Sequence, residues 1–292
     1  MSACARAGLL ASMVLLAAPL GSGTVSRTGA SLRVAVLPCT NIEASFEKFH
    51  PLFAYLTSST GFKVTLAVPA DLVEFEAAMR NGQADFALQD PHTFQELSHL
   101  FDDASLLQTR ALDGTTSQSA VVVVRRDSGI GELQQLVGKT VMFGPRVSSP
   151  KWVAARLLFE SRGIDVDGEL KVLNGGCCED IAFTVAIKSV DAGVICDHFL
   201  SLHGARQKDL GVDPGALTVL GRTTPLPTRI FAARKGVPAE LIRVVTRALL
   251  DLDPADPEHA RILAGAEIGG FLKTTEADYL ARLTRALLPG PR

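Results

Sequence analysis

The unit that decides the fold is residues 140–163, which read TVMFGPRVSSPKWVAARLLFESRG. Its first four residues are mostly apolar and predict a short buried strand. Ser149 is a suitable N-cap and Pro150 a suitable first helical residue, so a helix should run from Pro150 to about Arg162, before Gly163. A strand that passes through a polar turn into a helix is the repeating unit of α/β proteins.

The same alternation of strands and helices runs through the rest of the chain. Further strands are predicted at residues 32–37, 63–68, 85–88, 120–125, 170–173, 192–196, 217–220 and 228–233. Helices are predicted at residues 45–56, 71–79, 131–136, 179–188, 238–251, 257–263 and 275–287. The alternation predicts an α/β architecture with two mainly parallel sheets flanked by helices.

Polar and thiol side chains gather where the predicted strands end, which is where ligands bind in such sheets. The candidate ligand-binding residues are Cys39, Thr40, Asp90, His92, Thr93, Ser148, Ser149, Cys177, Cys178 and His198. For Asp90, capping of the following segment is the alternative to a ligand contact. For His198, a pair with Asp197 that points to the ligand competes with a histidine that faces water.

Composition and missing motifs exclude several classes of protein. The 292 residues are 47% hydrophobic and 21% charged, and the formal net charge is -2. These values exclude a disordered chain and a basic nucleic-acid binder, and the length predicts about two domains. The sequence has no phosphate loop, nucleophile elbow, H-E-x-x-H pair or haem-attachment motif. We therefore predict no catalytic residues and no cofactor.

Residues 1–26 have the pattern of a secretory signal peptide. Arg6 precedes an apolar run at residues 8–18 and a small-residue stretch at 21–24. Pro19 interrupts the run well before the roughly 20 apolar residues that a membrane anchor needs. We expect this segment to be removed and the mature chain to be soluble outside the cytoplasm.

Without the signal peptide, the cysteines that remain are Cys39, Cys177, Cys178 and Cys196. In an oxidising compartment a disulfide is one expectation, with Cys196 bonded to Cys177 or Cys178. A second expectation is a site for a soft metal ion or trivalent arsenic, because thiolates bind both. A third expectation is that the cysteines are inert small apolar side chains. The spacing of these cysteines leaves all three open.

Five motifs keep one order along the chain. They are FHPL at 49–52, NGQADFA at 81–87, RDSGI at 126–130, GKTVMFG at 138–144 and VDAGV at 190–194. In these motifs the sequence resembles the periplasmic solute-binding proteins of phosphate, phosphite and phosphonate ABC transporters. The resemblance implies a type II periplasmic-binding fold, in which two lobes close around an anion in the cleft between them.

The resemblance also implies where the lobes lie. Lobe 1 would comprise residues 27–117 and 225–292, and lobe 2 residues 118–224. The strands at 120–125 and 217–220 would carry the chain across and back.

Site roles follow from the same resemblance. Ser148 and Ser149 match the hydroxyl-rich anion-binding turn, where a helix N-terminus adds backbone N–H donors. Pro150 stands where the family often has a third hydroxyl, and Phe94 stands where phosphonate-binding relatives have a tyrosine. Cys178 stands where those relatives place a histidine. A pocket that loses these donors and gains thiols is poorly matched to a phosphonate.

We therefore predict a monomeric periplasmic binding protein that captures a small oxyanion by lobe closure. The oxyanion is expected to be phosphate-, phosphite- or phosphonate-like. The partner of the closed form would be an ABC permease or a membrane sensor kinase, and no nucleic acid is involved. The alternatives are a thiol-based receptor for arsenite or a soft metal ion, and a periplasmic thiol enzyme.

Overall fold

A computed structural model describes residues 31–37, 42–202 and 212–288. These residues form an α/β fold with two larger sheets flanked by helices, which confirms the predicted fold class. The predicted signal peptide, Cys39 and Thr40 lie outside the described residues, so their roles stay predictions.

The strands follow the predicted positions closely, and four were not predicted: β4, β5, β11 and β13. In chain order the described strands are β1 (Ser31–Val36), β2 (Lys63–Ala67), β3 (Phe86–Gln89), β4 (Leu107–Arg110), β5 (Ser117–Gln118), β6 (Ala120–Arg125), β7 (Thr140–Phe143), β8 (Lys171–Asn174), β9 (Ala192–Cys196), β10 (Leu217–Arg222), β11 (Leu226–Pro227), β12 (Ile230–Ala233) and β13 (Gly270–Lys273).

The helices alternate with these strands. They are α1 (Ile42–Thr60), α2 (Leu72–Arg80), α3 (Pro91–Leu97), α4 (Ala155–Glu160), α5 (Val166–Glu169), α6 (Cys178–Ala186), α7 (Phe199–Leu202), α8 (Ala239–Leu250), α9 (Pro257–Gly265) and α10 (Glu276–Leu287). A π-helical segment, Ser149–Ala154, leads directly into α4. Within the described ranges, no helix combines the length and the apolar character needed to cross a membrane.

Both larger sheets are mixed, which corrects the expectation of mainly parallel sheets. The first has the order β13-β4-β12-β3-β1-β2, and only β3-β1 and β1-β2 pair in parallel. The second has the order β10-β6-β9-β7-β8, and only β9-β7 and β7-β8 are parallel. Parallel neighbours need a crossover, usually a helix. The strands β6, β10 and β12 each lie next to a chain segment that passes from one sheet to the other. No helical crossover within one sheet therefore fixes their direction.

Within the described ranges the chain passes between the two larger sheets twice, and the two passages pair with each other. β5 lies on the way from β4 to β6, and β11 lies on the way from β10 to β12. These short strands form an antiparallel ladder, with Gln118 opposite Leu226 and Ser117 opposite Pro227. The strands β6 and β10, which were expected to cross between the lobes, instead belong to the second sheet. The lobe boundaries themselves stay a prediction.

The second sheet shows why the sequence pattern specifies this architecture. Residues 120–124 form an unbroken apolar run and are fully buried. Val122 and Val124 join the hydrophobic cluster on one face, while Val121 and Val123 join the cluster on the other. A strand covered on both faces needs apolar side chains at every position, which is what the run supplies.

Candidate functional site

A cavity of about 580 Å³ is lined by residues from both larger sheets and their connections. The first sheet's side contributes Asp90, which follows β3, and Arg229, which precedes β12. Of the predicted site residues, those on the cavity wall are Asp90, Ser148, Cys177, Cys178 and His198. The structure therefore brings half of the predicted residues to one place.

Among the described residues that line the cavity, Lys151 is the most buried cation, and it is not one of the site residues predicted from the sequence. It is 3% exposed, and its Nζ donates a hydrogen bond to the Gly176 carbonyl at 2.9 Å. Its stem lies against Gly144, where an added Cβ would be 2.5 Å from Lys151 Cβ. A positive charge in the first turn of a helix opposes the helix dipole. Together the buried ammonium and the helix N-terminus make this wall attractive to an anion.

Ser148 and Ser149 have different environments. Ser148 is the N-cap, one residue earlier than predicted, and its Oγ accepts from Lys151 N at 3.4 Å. Ser149 is fully buried, and its Oγ accepts from His92 N at 2.9 Å. Ser148 lines the cavity. Ser149 does not, and its hydrogen bond with His92 connects the segment after β7 to the start of α3.

Ser149→Ala is expected to lower the free energy of unfolding by about 1–2 kcal/mol, because the part-buried backbone N–H of His92 would lose its acceptor. Urea denaturation measures the change, with the exposed Ser161→Ala as the matched control. A large loss of oxyanion affinity at unchanged stability would instead place the Ser149 hydroxyl on the ligand.

Asp90 occupies the N-cap position of α3 but makes no capping hydrogen bond. Burial raises the pKa of its carboxyl, while the nearby charges of Arg229, Lys151 and His92 lower it. The capping role considered for Asp90 is therefore absent. A carboxyl held among these cations accepts hydrogen bonds when ionised and donates one to a ligand oxygen when protonated.

His92 and Thr93 do not line the cavity. Thr93 is 1% exposed and packed within the fold. His92 Nε2 lies 3.4 Å from Glu96 Oε1, and its buried Nδ1 has no hydrogen-bond partner among the described residues. The buried side-chain amide of Gln89 is also without one. These polar groups lie in the segment that carries Asp90, behind the cavity wall rather than on it.

Three cysteines meet the cavity from the second sheet. Cys177 precedes α6, Cys178 is its first residue, and Cys196 ends β9. All three are thiols here, so the expected disulfide is not formed in this structure. Cys178 Sγ accepts a hydrogen bond from Cys196 N at 3.2 Å.

The neighbouring thiols Cys177 and Cys178 differ in acidity. Hydrogen bonding from the Cys196 thiol, together with the charge of Lys151, lowers the pKa of Cys178 against an opposing effect of burial. Burial raises the pKa of Cys177 far above that of an ordinary thiol, and Glu179 adds to the rise. Only Cys178 of this pair is therefore disposed to be a thiolate near neutral pH.

His198 lines the cavity but does not form the close pair with Asp197 that was one of the two interpretations of this residue. His198 Nδ1 is 3.9 Å from Asp197 Oδ1, which is longer than a hydrogen bond. Asp197 Oδ2 instead accepts from Arg222 at 2.5 Å. The Asp197 carboxylate is thus directed mainly towards Arg222.

The cavity wall is balanced in charge. Its described cations are Lys48, Arg110, Lys151 and Arg229. Its described carboxylates are Glu47, Asp90, Glu179 and Glu267. Lys48 and Glu267 form an ion pair, which links α1 to the chain after α9. Selection of an anion therefore depends on the placement of individual donors rather than on a broad positive field.

The described residues provide no cluster of three or more His, Cys, Asp or Glu side chains that could hold a metal ion. Phe94 also lies outside the cavity wall. It is fully buried and packs edge-to-face on Tyr279, with ring centroids 5.6 Å apart. The tyrosine hydroxyl expected there in relatives would therefore fall in the core of this chain.

Two sheets flanked by helices, with a charged cavity lined from both, define a type II periplasmic binding protein. The profile of the periplasmic substrate-binding proteins of phosphonate ABC transporters matches residues 34–279, and the chain belongs to this family. The resemblance read from the sequence motifs is thereby confirmed. The family is one of substrate-binding proteins that work in the periplasm.

Solved structures show the same fold at low sequence identity. A binding-protein component of an ABC phosphonate transporter from Pseudomonas aeruginosa has a TM-score of 0.74 at 18% identity, over 88% of this chain and 85% of that one. PhnD1 from Prochlorococcus marinus, in complex with methylphosphonate, has a TM-score of 0.74 at 15% identity, over 88% and 98%.

A curated relative is a sensor protein. The tetrathionate sensor histidine kinase TtrS of Salmonella typhimurium is 26% identical over 270 residues. The match covers 87% of this chain and 44% of the kinase, so the chain spans less than half of the relative's length.

Proposed function

We propose that this protein captures a small oxyanion between its two sheets by closing around it. The observation that carries the proposal is the buried ammonium of Lys151 on the wall of a 580 Å³ cavity, with Arg229 on the side of the other sheet. A buried charge of this kind is stabilised by a bound anion. The N–H groups of the adjacent helix start add donors for the same ligand.

Closure follows from where these groups lie. Lys151 and Ser148 belong to the second sheet's side, and Asp90 and Arg229 to the first. A ligand that contacts both sides favours the closed arrangement because it binds that arrangement better than the open one. The paired strands β5 and β11 are the natural hinge.

The closed form would be recognised at the membrane. Membership of the transporter family favours an ABC permease as its partner. The likeness to a sensor kinase favours presentation to such a kinase as the other route. In either case the protein would act in the periplasm, after removal of the predicted signal peptide.

The test is a thermal-shift panel on the reduced protein. It contains phosphate, phosphite, methylphosphonate, sulfate, thiosulfate, tetrathionate and arsenite. A specific ligand at a hundredfold excess over its Kd stabilises the folded state by about 2.7 kcal/mol. We expect stabilisation by at least one oxyanion, and small-angle scattering should show compaction with the same compound. No shift with any oxyanion would overturn the proposal, and a shift with arsenite alone would favour the thiol-receptor alternative.

A further inference from the structure

The sulfur of Cys178 and the backbone of Cys196 are in direct contact at the cavity wall. Cys178 begins α6, Cys196 ends β9, and Cys178 Sγ lies 3.2 Å from Cys196 N. The Cys196 side chain is also the largest cause of the lowered pKa of Cys178. Two neighbouring thiols that both face a ligand cavity can be oxidised to a disulfide by a compound bound there.

The surroundings favour Cys178 as the attacking sulfur. The Cys196 thiol and the charge of Lys151 lower its pKa, and the charge of Glu179 opposes them. Cys178 is also the first residue of a nine-residue helix, a position that stabilises a thiolate. Cys177, beside it, has a raised pKa and stays a thiol.

A thiolate next to the anion site is unfavourable for a hard oxyanion, because the two negative charges repel. It suits a ligand that is anionic at its ends and electrophilic at an inner sulfur. Polythionates have this structure, with sulfonate groups joined through S–S bonds. Lys151 would bind a sulfonate end while Cys178 faces the sulfur chain.

We propose that Cys178 and Cys196 form a thiol pair that is oxidised by a bound polythionate such as tetrathionate. This inference rests on the proposed oxyanion site and names its ligand class. The Cys178 thiolate attacks an inner sulfur of tetrathionate, which breaks the central S–S bond and releases one thiosulfate. The Cys196 thiol then loses its proton to solvent and attacks Cys178 Sγ, which releases the second thiosulfate.

Atoms and electrons balance in this sequence. Two thiolates lose two electrons and become one disulfide, and tetrathionate gains two electrons and becomes two thiosulfates. Cys196 ends β9 of the second sheet, and Cys178 begins α6, which packs on the same sheet, so the new bond would not tie the two sheets together. The reaction would record exposure to the ligand and still allow the cavity to open.

The test exposes the reduced full chain to tetrathionate, with sulfate and methylphosphonate as non-oxidising controls. Intact mass and peptide mapping follow the protein, and released thiosulfate is measured in parallel. We expect a Cys178–Cys196 disulfide, two thiosulfates per chain, and a rate that saturates with tetrathionate concentration. Cys196→Ser should stop at a thiosulfate adduct on Cys178, and Cys178→Ser should abolish the saturable reaction.

The outcomes separate this inference from the proposed function. Stabilisation by tetrathionate without oxidation overturns the thiol chemistry and leaves the oxyanion site standing. A rate linear in tetrathionate, or modification mainly at Cys177 or Cys39, indicates unassisted thiol chemistry and also overturns the inference. If no oxyanion stabilises the protein, the proposed function itself fails.

Discussion

Lys151→Met is expected to weaken oxyanion binding by roughly 30- to 1,000-fold, corresponding to about 2–4 kcal/mol. Lys151 lines the cavity and is almost completely shielded from water. A charge-assisted hydrogen bond is stronger there than at the surface, because water screens it less. Methionine keeps an unbranched stem that can still pack over Gly144, so the loss would come mainly from the charge.

Isothermal titration with the oxyanion that gives the largest thermal shift measures this loss. Lys139→Met, which removes an exposed lysine just before β7, is the matched control and should bind as the unmodified protein does. Thermal unfolding followed by circular dichroism verifies that both variants are folded. If Lys151→Met binds within about threefold of the unmodified protein, Lys151 does not hold the anion.

The regular part of the fold was predictable because its pattern is local. The apolar run of β6 requires a strand buried on both faces. The two serines and the proline at 148–150 indicate a helix start within one residue of its observed position. The missed strand β4 reads Leu107-Gln108-Thr109-Arg110, which has no clear period, and its pairing with β12 and β13 supplies what the local sequence lacks.

The site was predictable only in part, because its main features come from contacts distant in sequence. Lys151 follows Ser149 by two residues, yet nothing local shows that its side chain turns inward over Gly144. The contact between Cys178 and Cys196 spans 18 residues and needs the packing of α6 on β9. The one available signal was a lysine in the first turn of a helix, where the dipole disfavours it.

Gly144→Ala is expected to disturb the same cation without removing it. An added Cβ would lie 2.5 Å from Lys151 Cβ and 2.8 Å from Lys151 Cε, so the lysine stem or the backbone must move. Overpacking of this kind costs about 1–3 kcal/mol of unfolding free energy. We also expect oxyanion affinity to fall by roughly tenfold, since Lys151 Nζ would leave its position near the Gly176 carbonyl.

A double-mutant cycle distinguishes a specific effect on Lys151 from a general loss of stability. Gly131→Ala is the matched control, because its added Cβ would meet nothing nearer than Gln135 Oε1 at 3.8 Å. If Gly144 acts through Lys151, Gly144→Ala should weaken binding in the unmodified protein and have little further effect in Lys151→Met. Additive losses would mean that Gly144 affects the cavity by another route. A non-additive result would assign to this glycine the role of making room for the buried ammonium.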